Sequence, residues 1–414
     1  MSYVRDLYTD FIAFPRTVKL FYVTDIFFGF AQAIFTTLFN LHMLDAGFTA
    51  DHIGQLQAVS ALVMAALAIP VGLASDRWGR RWFYVAGSIL FGVPYLVMPW
   101  LATFPLMMAA WVVFSVGNTL MFVNESPLLA GEVGSDKRAA VFSFMMINFF
   151  VWNTLGIQLA GFLVDWMPHG ALTKYQWPLV MAGIFAIMSG SVRAFLPFRP
   201  HGVAGTAAPG AKALPRRVLN LKPTRTTVMI GLISVFGGAY AALMNNFNNV
   251  ILSQRYHFES EFIATVFVVA GIVGWIGSVL VPWTSKRLGD FKAYVLCIGA
   301  QGVFLFLLGA AATPVLFLSV FWTRAVLGTM QMSLWNAFSM GVTPEAERAT
   351  ASSYAMLGRN LGGAVMAKVF GVLLAAGSYL SAFSLAGVLA LGAAAFTLLA
   401  FRREGRFAIG PEGA

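Results

Sequence analysis

The chain has 414 residues, 59% of them hydrophobic and only 11% charged, with a formal net charge of +10. So little charge excludes a soluble globular protein of this length, whose surface would need far more. The basic residues are scattered over short segments and form no single patch, which excludes a nucleic-acid partner.

Runs of about 20 apolar residues recur from end to end, the length that crosses a bilayer as a helix. They predict an all-α polytopic membrane protein. The N-terminal stretch "MSYVRDLYTDFIAFPRTVKL" has no short apolar core followed by small residues, so no cleaved signal peptide is expected. The single cysteine, Cys297, rules out an internal disulfide. Twelve spans are predicted, at residues 18–44, 52–74, 82–102, 106–130, 139–165, 176–198, 226–254, 261–284, 293–311, 315–341, 350–376 and 380–401. Residues 199–225 are rich in Pro, Gly, Ala and basic residues and read as a flexible linker. They divide an N-terminal six-helix bundle (1–198) from a C-terminal one (226–414).

Of the 27 Lys and Arg residues, 22 fall on the side of the two termini and the linker, two (Lys174 and Arg255) on the other side, and three within helices. The positive-inside rule places both termini and the linker in the cytoplasm of a bacterial-type inner membrane.

The two halves match at a constant offset of 210 residues. Phe48, Asp51 and Ile53 lie over Phe258, Glu261 and Ile263. Arg138, Ala139 and Ser143 lie over Arg348, Ala349 and Ser353, and Arg77 and Gly79 over Arg287 and Gly289. Six helices per repeat is an even number, so both repeats should share one orientation about an axis along the membrane normal.

The second and third spans are joined by "GLASDRWGRR". This segment resembles the signature loop of the major facilitator superfamily, G-x-x-x-D-R-x-G-R-[RK], at Gly72, Asp76, Arg77, Gly79, Arg80 and Arg81. With the twelve spans, the linker and the repeat, the resemblance covers the whole chain. It implies a secondary transporter working by alternating access, without a bound cofactor. It also implies that these six residues latch the ends of the halves together, with Glu132 as a further partner. The residues themselves agree. Gly72 can let helix backbones approach closely, Gly79 permits a tight turn, and Asp76 can pair with Arg80. The second-half copy, "PWTSKRLGDF", is degraded, although Lys286 and Asp290 could keep a charge pair with its ends exchanged. The fifth span lacks the Gly-Pro pair of the family's drug antiporters, and Phe114 stands in the fourth span where many proton-coupled members carry Arg. The R-x-x-x-G pattern appears instead in the tenth span, at Arg324 and Gly328.

Five ionisable residues fall well inside spans: Asp25, Glu125, Arg324, Arg359 and Lys368. Each costs several kcal/mol facing lipid and should face a cavity or a partner. Asp25 shares a stripe with Gly29, Gln32 and Thr36, and Arg324 shares one with Gly328, Gln331 and Trp335. Lys368 points about 180° from Arg359 and either snorkels or acts elsewhere. Arg324, with its planar bidentate donors, is the expected anchor for an anionic group, the alternative being an ion pair with Asp25 or Glu125. Asp25 and Glu125 are the expected proton-coupling residues, with Asp25 preferred.

The stretch "LMNNFNNVIL" places Asn245, Asn246, Asn248 and Asn249 in the seventh span. On a continuous helix all four fit an arc of about 160°. They are expected to line a substrate site with Gln32, Arg324, Gln331 and Arg359, the alternative being hydrogen bonding between helices. Taken together, the residues point to a transporter of a small organic solute, polar and in one reading anionic, driven by a coupling proton and acting as a monomer in the lipid bilayer. Export of amphipathic compounds through a pocket including Met145, Met146, Phe149 and Trp152 is one alternative, and a transport-inactive sensor or scaffold of the same fold is another. No His/Cys cluster or Ser-His-Asp set suggests an enzyme or a metal site.

Overall fold

The computed structural model describes residues 14–133, 138–196, 224–344 and 347–401. The segments before, between and after these, including most of the 199–225 linker, lie outside the described residues. The described residues form α1 (Arg16–Asp45), α2 (Ala50–Trp78), α3 (Arg80–Val97), α4 (Phe104–Gly131), α5 (Arg138–Trp166) and α6 (Gln176–Ala194). The later part holds α7 (Arg225–Asn246), α8 (Asn248–Tyr256), α9 (Ser260–Ala310), α10 (Pro314–Val342), α11 (Arg348–Ala375) and α12 (Tyr379–Phe401).

Eleven of these helices are long and apolar enough to cross a membrane. The 51-residue α9 is too long for one crossing, since a helix of that length runs roughly 75 Å against a hydrocarbon core of about 30 Å. It holds two spans, because Gly289 leaves helical geometry at φ 73° and ψ 153°. The eighth and ninth predicted spans are therefore joined by a one-residue break where a loop was expected. The seventh predicted span is divided: Phe247, at φ −127° and ψ 6°, separates α7 from α8. The sixth ends at Ala194, four residues short of its expected end.

The repeat is written in the backbone. Gly79 (φ 100°) turns the chain between α2 and α3, and its counterpart Gly289 makes the corresponding break in α9. Gly47 and His257, again 210 apart, both take positive φ (87° and 55°) after α1 and α8. Thr103 and Thr313 occupy the extended residue just before α4 and α10.

The chain separates into two compact units. Unit 1 comprises Met1–Phe48, Ala66–Leu219 and Glu259–Thr265; unit 2 comprises Thr49–Ala65, Asn220–Phe258 and Val266–Ala414. In unit 1, α1 packs against α5 and α6, and α3 against α4 and α6. In unit 2, α7 packs against α11 and α12.

Candidate functional site

Unit 2 contains a cavity of about 270 Å³ between α7, α9, α10 and α11. Its polar lining comprises two guanidiniums, Arg324 and Arg359, and three amides, Asn245, Gln301 and Gln331. Tyr240, Tyr294 and Trp335 supply aromatic walls. The helices that carry these groups are locked together. A Cβ on Gly358 would lie 2.3 Å from the Gly231 carbonyl oxygen, and one on Gly362 2.0 Å from that of Val235. Only glycine allows α11 to lie so close to α7, and that approach sets Arg359 beside Asn245 and Tyr240.

The amides and tyrosines fix one another. The Tyr240 hydroxyl and Gln301 Nε2 both donate to Gln331 Oε1. Tyr294 packs against Trp335 with ring centroids 5.2 Å apart and the planes tilted by 46°. Among the described residues no carboxylate lines the cavity. Arg324 Nε is buried and makes no hydrogen bond, and Arg359 is exposed. Two guanidiniums thus share one cleft without a counter-charge among the described residues, one of them with an unused buried donor, and such groups can hold an anion.

This arrangement brings Asn245, Arg324, Gln331 and Arg359 together and separates them from their other expected companions. Gln32 belongs to unit 1, where its Oε1 accepts from the Tyr95 hydroxyl at 3.3 Å. Asn246, Asn248 and Asn249 do not line the cavity. Asn249 is buried, its Oδ1 accepting from the Val250 N–H at 3.0 Å. The expected arc of four amides assumed a continuous helix, and the break at Phe247 turns the last two away.

A second polar centre is buried in unit 1. Asp25 on α1 forms an ion pair with Arg193 in the last turn of α6; Arg193 is fully buried and Asp25 nearly so. Arg193 also donates from Nε to Thr24 Oγ1 at 2.7 Å and from Nη1 to the Tyr84 hydroxyl. Its guanidinium lies 4.1 Å from the centre of the Phe21 ring. Asn148 Nδ2 donates to Asp25 Oδ2 at 3.3 Å and to the Tyr22 carbonyl at 3.0 Å. Glu125 on α4 is half-buried and within electrostatic reach of both Arg193 and Asp25. Sequence reading missed Arg193 because, near a helix end, it passed for one more basic residue of the loops.

In the α2–α3 turn, Asp76 pairs with Arg80 at 2.5 Å on the surface. Arg81 Nη2 donates to the Ala194 carbonyl at 2.6 Å, so the turn caps the helix that carries Arg193. Arg77 rests near the Trp78 ring, and Glu132 is buried at the end of α4. A Cβ built on Gly72 would meet only Val123 Cγ1, at 3.8 Å, among the described residues beyond its own helix, so no close backbone approach is seen there. In the second-half copy, Asp290 accepts from the Ser285 hydroxyl, and no ion pair joins it to Lys286 among the described residues. Lys368 has an acidic partner: its Nζ lies 2.5 Å from Asp51 Oδ1 in the first turn of α2, and Gln55 supports the same carboxylate from 3.0 Å.

Twelve membrane-length segments in two matched halves, one enclosing a polar cavity, define a polytopic helical membrane transporter. The sequence profile of the Major Facilitator Superfamily matches residues 21–367, and the chain belongs to that family. It is a multi-pass secondary transporter of that type and not an enzyme. Among relatives, it is 24% identical over 271 residues to the "Probable 4-methylmuconolactone transporter" of Cupriavidus pinatubonensis, covering 65% of this chain and 62% of that protein. It is 25% identical over 293 residues to "Multidrug resistance protein MdtL" of Shigella flexneri, covering 70% and 71%. Among solved structures, the nucleoside transporter NupG superposes with a TM-score of 0.73 at 15% identity, over 94% of this chain and all of that one. A D-xylose-proton symporter superposes with a TM-score of 0.71 at 14% identity, over 92% and 96%. At such identities the structures share the fold.

Proposed function

We propose that this protein carries a small organic anion across the membrane by alternating access, driven by protons, with both termini in the cytoplasm. The observation that carries the reading is the unit 2 cavity, in which Arg324 and Arg359 converge with no carboxylate among the described residues lining it. A charged carboxylate fills that role, and Tyr240, Tyr294 and Trp335 favour a flat, unsaturated body behind it. The relative described as a "Probable 4-methylmuconolactone transporter" agrees with a small organic substrate. The acid–base centre of unit 1 is the candidate coupling site, and the α2–α3 turn, with Gly72, Asp76, Arg77, Gly79, Arg80, Arg81 and Glu132, the candidate latch.

Uptake into proteoliposomes tests the reading. A panel of radiolabelled aromatic and unsaturated monocarboxylates is offered with and without an imposed pH gradient, beside their neutral amides. The acids should accumulate only with the gradient, and the amides not at all. Equal handling of acid and amide would sink the anion reading, and accumulation indifferent to the gradient would sink the coupling.

One feature favours a second reading, transport of amphipathic compounds. A groove of about 440 Å³ between α1 and α5, lined by Lys19, Tyr22, Phe144 and Trp152 among others, is mostly apolar. Of the residues expected in a greasy pocket, Trp152 lines it, whereas Phe149 packs on Phe28 with ring centroids 6.2 Å apart. Uptake of a lipophilic cation into inverted vesicles, the direction that corresponds to export from a cell, at a rate exceeding acid transport, would decide for this reading.

A further inference from the structure

The unit 2 cavity is long, and its two guanidiniums enter it at different depths. Ser234, Gly237, Ala241 and Asn245 line it from one face of α7, at spacings of three and four residues. That stripe runs eleven residues, about 16 Å along the helix. Arg324 belongs to the Asn245 end. The Tyr256 hydroxyl at the end of α8 donates to the Ala311 carbonyl at 3.0 Å, and the Tyr256 ring packs on Phe317 with centroids 4.8 Å apart. The end of α8 therefore stands level with the start of α10. Eleven residues back from Tyr256 is Asn245, and eleven on from Thr313 is Arg324. Arg359 belongs to the Ser234 end. Gly358 and Gly362 of α11 lie against Gly231 and Val235, and a Cβ on Gly238 would meet the Arg359 carbonyl oxygen at 2.0 Å. Gly238 is seven residues short of Asn245, roughly 10 Å farther back along α7. By these contacts α11 runs parallel to α7, and α10 runs opposite to both. Helical side chains lean toward the N-terminus of their own helix, so Arg324 and Arg359 lean apart.

The two ends offer matching groups. At one, Arg324 stands with the Asn245 amide; at the other, Arg359 stands with the Ser234 hydroxyl. Each end also holds a buried polar atom without a hydrogen bond among the described residues, Arg324 Nε at one and Ser234 Oγ at the other, and Ser234 is only 4% exposed. A buried donor without a partner is destabilising until a ligand satisfies it. Between the ends the lining is bare. A Cβ on Gly237 or on Gly328 would meet nothing within 4 Å beyond its own helix among the described residues. We propose that the cavity takes an anion with two heads, an elongated dicarboxylate. One carboxylate binds Arg324 and Asn245, the other binds Arg359 and Ser234, and the body crosses Gly237, Ala241 and Gly328. A single carboxylate neutralises one guanidinium, whereas two carboxylates neutralise both. Arg359 and Ser234 are thus the residues that select for the second acid group. The proposal rests on the anion reading above and adds the second charge to it.

Equilibrium binding to the purified full-length protein at neutral pH tests this. The probes are the straight-chain dicarboxylates from succinate to sebacate, each beside its half-amide and its diamide, which keep the length and remove one charge or both. The parent should bind the best-fitting diacid about 10- to 150-fold more tightly than its half-amide, the loss expected for one charged hydrogen-bonded contact. Affinity should peak at an intermediate length. In Arg359→Gln, and likewise in Arg324→Gln, the preference for diacid over half-amide should fall to the small statistical advantage of having two equivalent ends. Arg359→Lys should keep part of the preference that Arg359→Gln loses. Ser234→Ala, which removes only a hydroxyl, should weaken the diacid about 2- to 13-fold and decides the matter if Arg359→Gln does not fold. A full preference surviving in Arg359→Gln, or parent affinity for the diacid in Ser234→Ala, overturns the proposal. So does equal binding of diacid and half-amide by the parent. If both of those still bind better than the diamide, the anion reading stands without a second head. A diamide that binds as well as the diacid removes both readings. Absence of binding by every member of the series overturns the two-headed ligand and leaves the anion reading to the aromatic monocarboxylates.

Discussion

At matched positions of the repeat, the two units hold opposite chemistries. Unit 2 lines its cavity with Asn245, Gln301, Arg324 and Arg359. The residues 210 places earlier are Phe35, Phe91, Phe114 and Phe149. In unit 1 these rings belong to packed aromatic clusters: Phe91 and Phe114 have centroids 5.1 Å apart, Phe35 and Phe114 5.9 Å. Tyr84 and Tyr294, a matched pair, are both fully buried, so the frame is kept while its contents differ. Unit 1 places its charge elsewhere, at Asp25 and Glu125, whose counterparts in unit 2 are Val235 and Trp335. The comparison teaches a division of chemistry: one half of a duplicated scaffold keeps a cavity lined by guanidiniums and amides, the proposed ligand site, while the other fills the matched positions with rings and buries an Asp25–Arg193 ion pair.

The most disruptive way to break this comparison is to move the charge. Phe114→Arg sets a guanidinium among aromatic rings with no anion, and burying such a charge should cost about 3–5 kcal/mol. We expect loss of monodisperse protein, or a large fall in melting temperature, by size-exclusion chromatography and thermal unfolding. A variant as stable as the parent would mean that unit 1 holds an unrecognised polar site.

Removing the charge from unit 2 should be milder for the fold and severe for the ligand. Arg324→Gln loses a charged hydrogen bond to the anion worth about 1.5–3 kcal/mol, roughly 10- to 150-fold in Kd. Equilibrium binding of a labelled aromatic carboxylate measures it, and the parent affinity in the variant would contradict the anchor role.

The asparagines sharpen the boundary of the site. Asn245→Ala should weaken ligand binding about 2- to 13-fold, for one lost bond of about 0.5–1.5 kcal/mol, with little change in apo stability. Asn249→Ala should lower the melting temperature and leave binding unchanged. An exchange of these two phenotypes would place the cavity on the wrong side of the Phe247 break.

The smallest expected effect lies at the edge of unit 2, outside the membrane-length helices. Glu347 Oε2 accepts from the Thr224 and Thr227 hydroxyls at 2.6 and 2.8 Å. These bonds hold its pKa below the ordinary carboxylate value. A depressed folded-state pKa contributes stability that is complete above the unfolded value of about 4.3 and fades as pH falls through the folded value. Glu347→Gln should therefore differ slightly from the parent in melting temperature at neutral pH, and the difference should vanish in acid. A difference growing toward low pH would reverse the sign of that linkage.

Much of this was legible in the sequence, for identifiable reasons. Apolar runs of bilayer length expose every crossing, and Arg324, Gln331 and Arg359 announce themselves as polar groups with nowhere to hide. The repeat already contained the exchange of Phe114 for Arg324. Arg193 was less legible because the same residue type marks topology at helix ends. The available clue was Asp25, an acid within a span that requires a partner. Tyr240 and Gln301 were hidden among residues that usually only pack. The asparagine arc failed for a different reason: adding 100° per residue holds only where the helix is unbroken, and no periodicity in the sequence marks the turn at Phe247.

The central claim, that the unit 2 cavity is built for an organic anion, is tested most directly by ligand-induced thermal stabilisation of the purified protein. Stabilisation grows as RT ln(1 + [L]/Kd) for a ligand that binds the folded state. An aromatic carboxylate and its neutral carboxamide of the same shape would be titrated against the parent and Arg324→Gln. The account predicts a concentration-dependent rise in melting temperature for the acid with the parent protein alone. Equal stabilisation by acid and amide, or a response to the acid unchanged in Arg324→Gln, would contradict it.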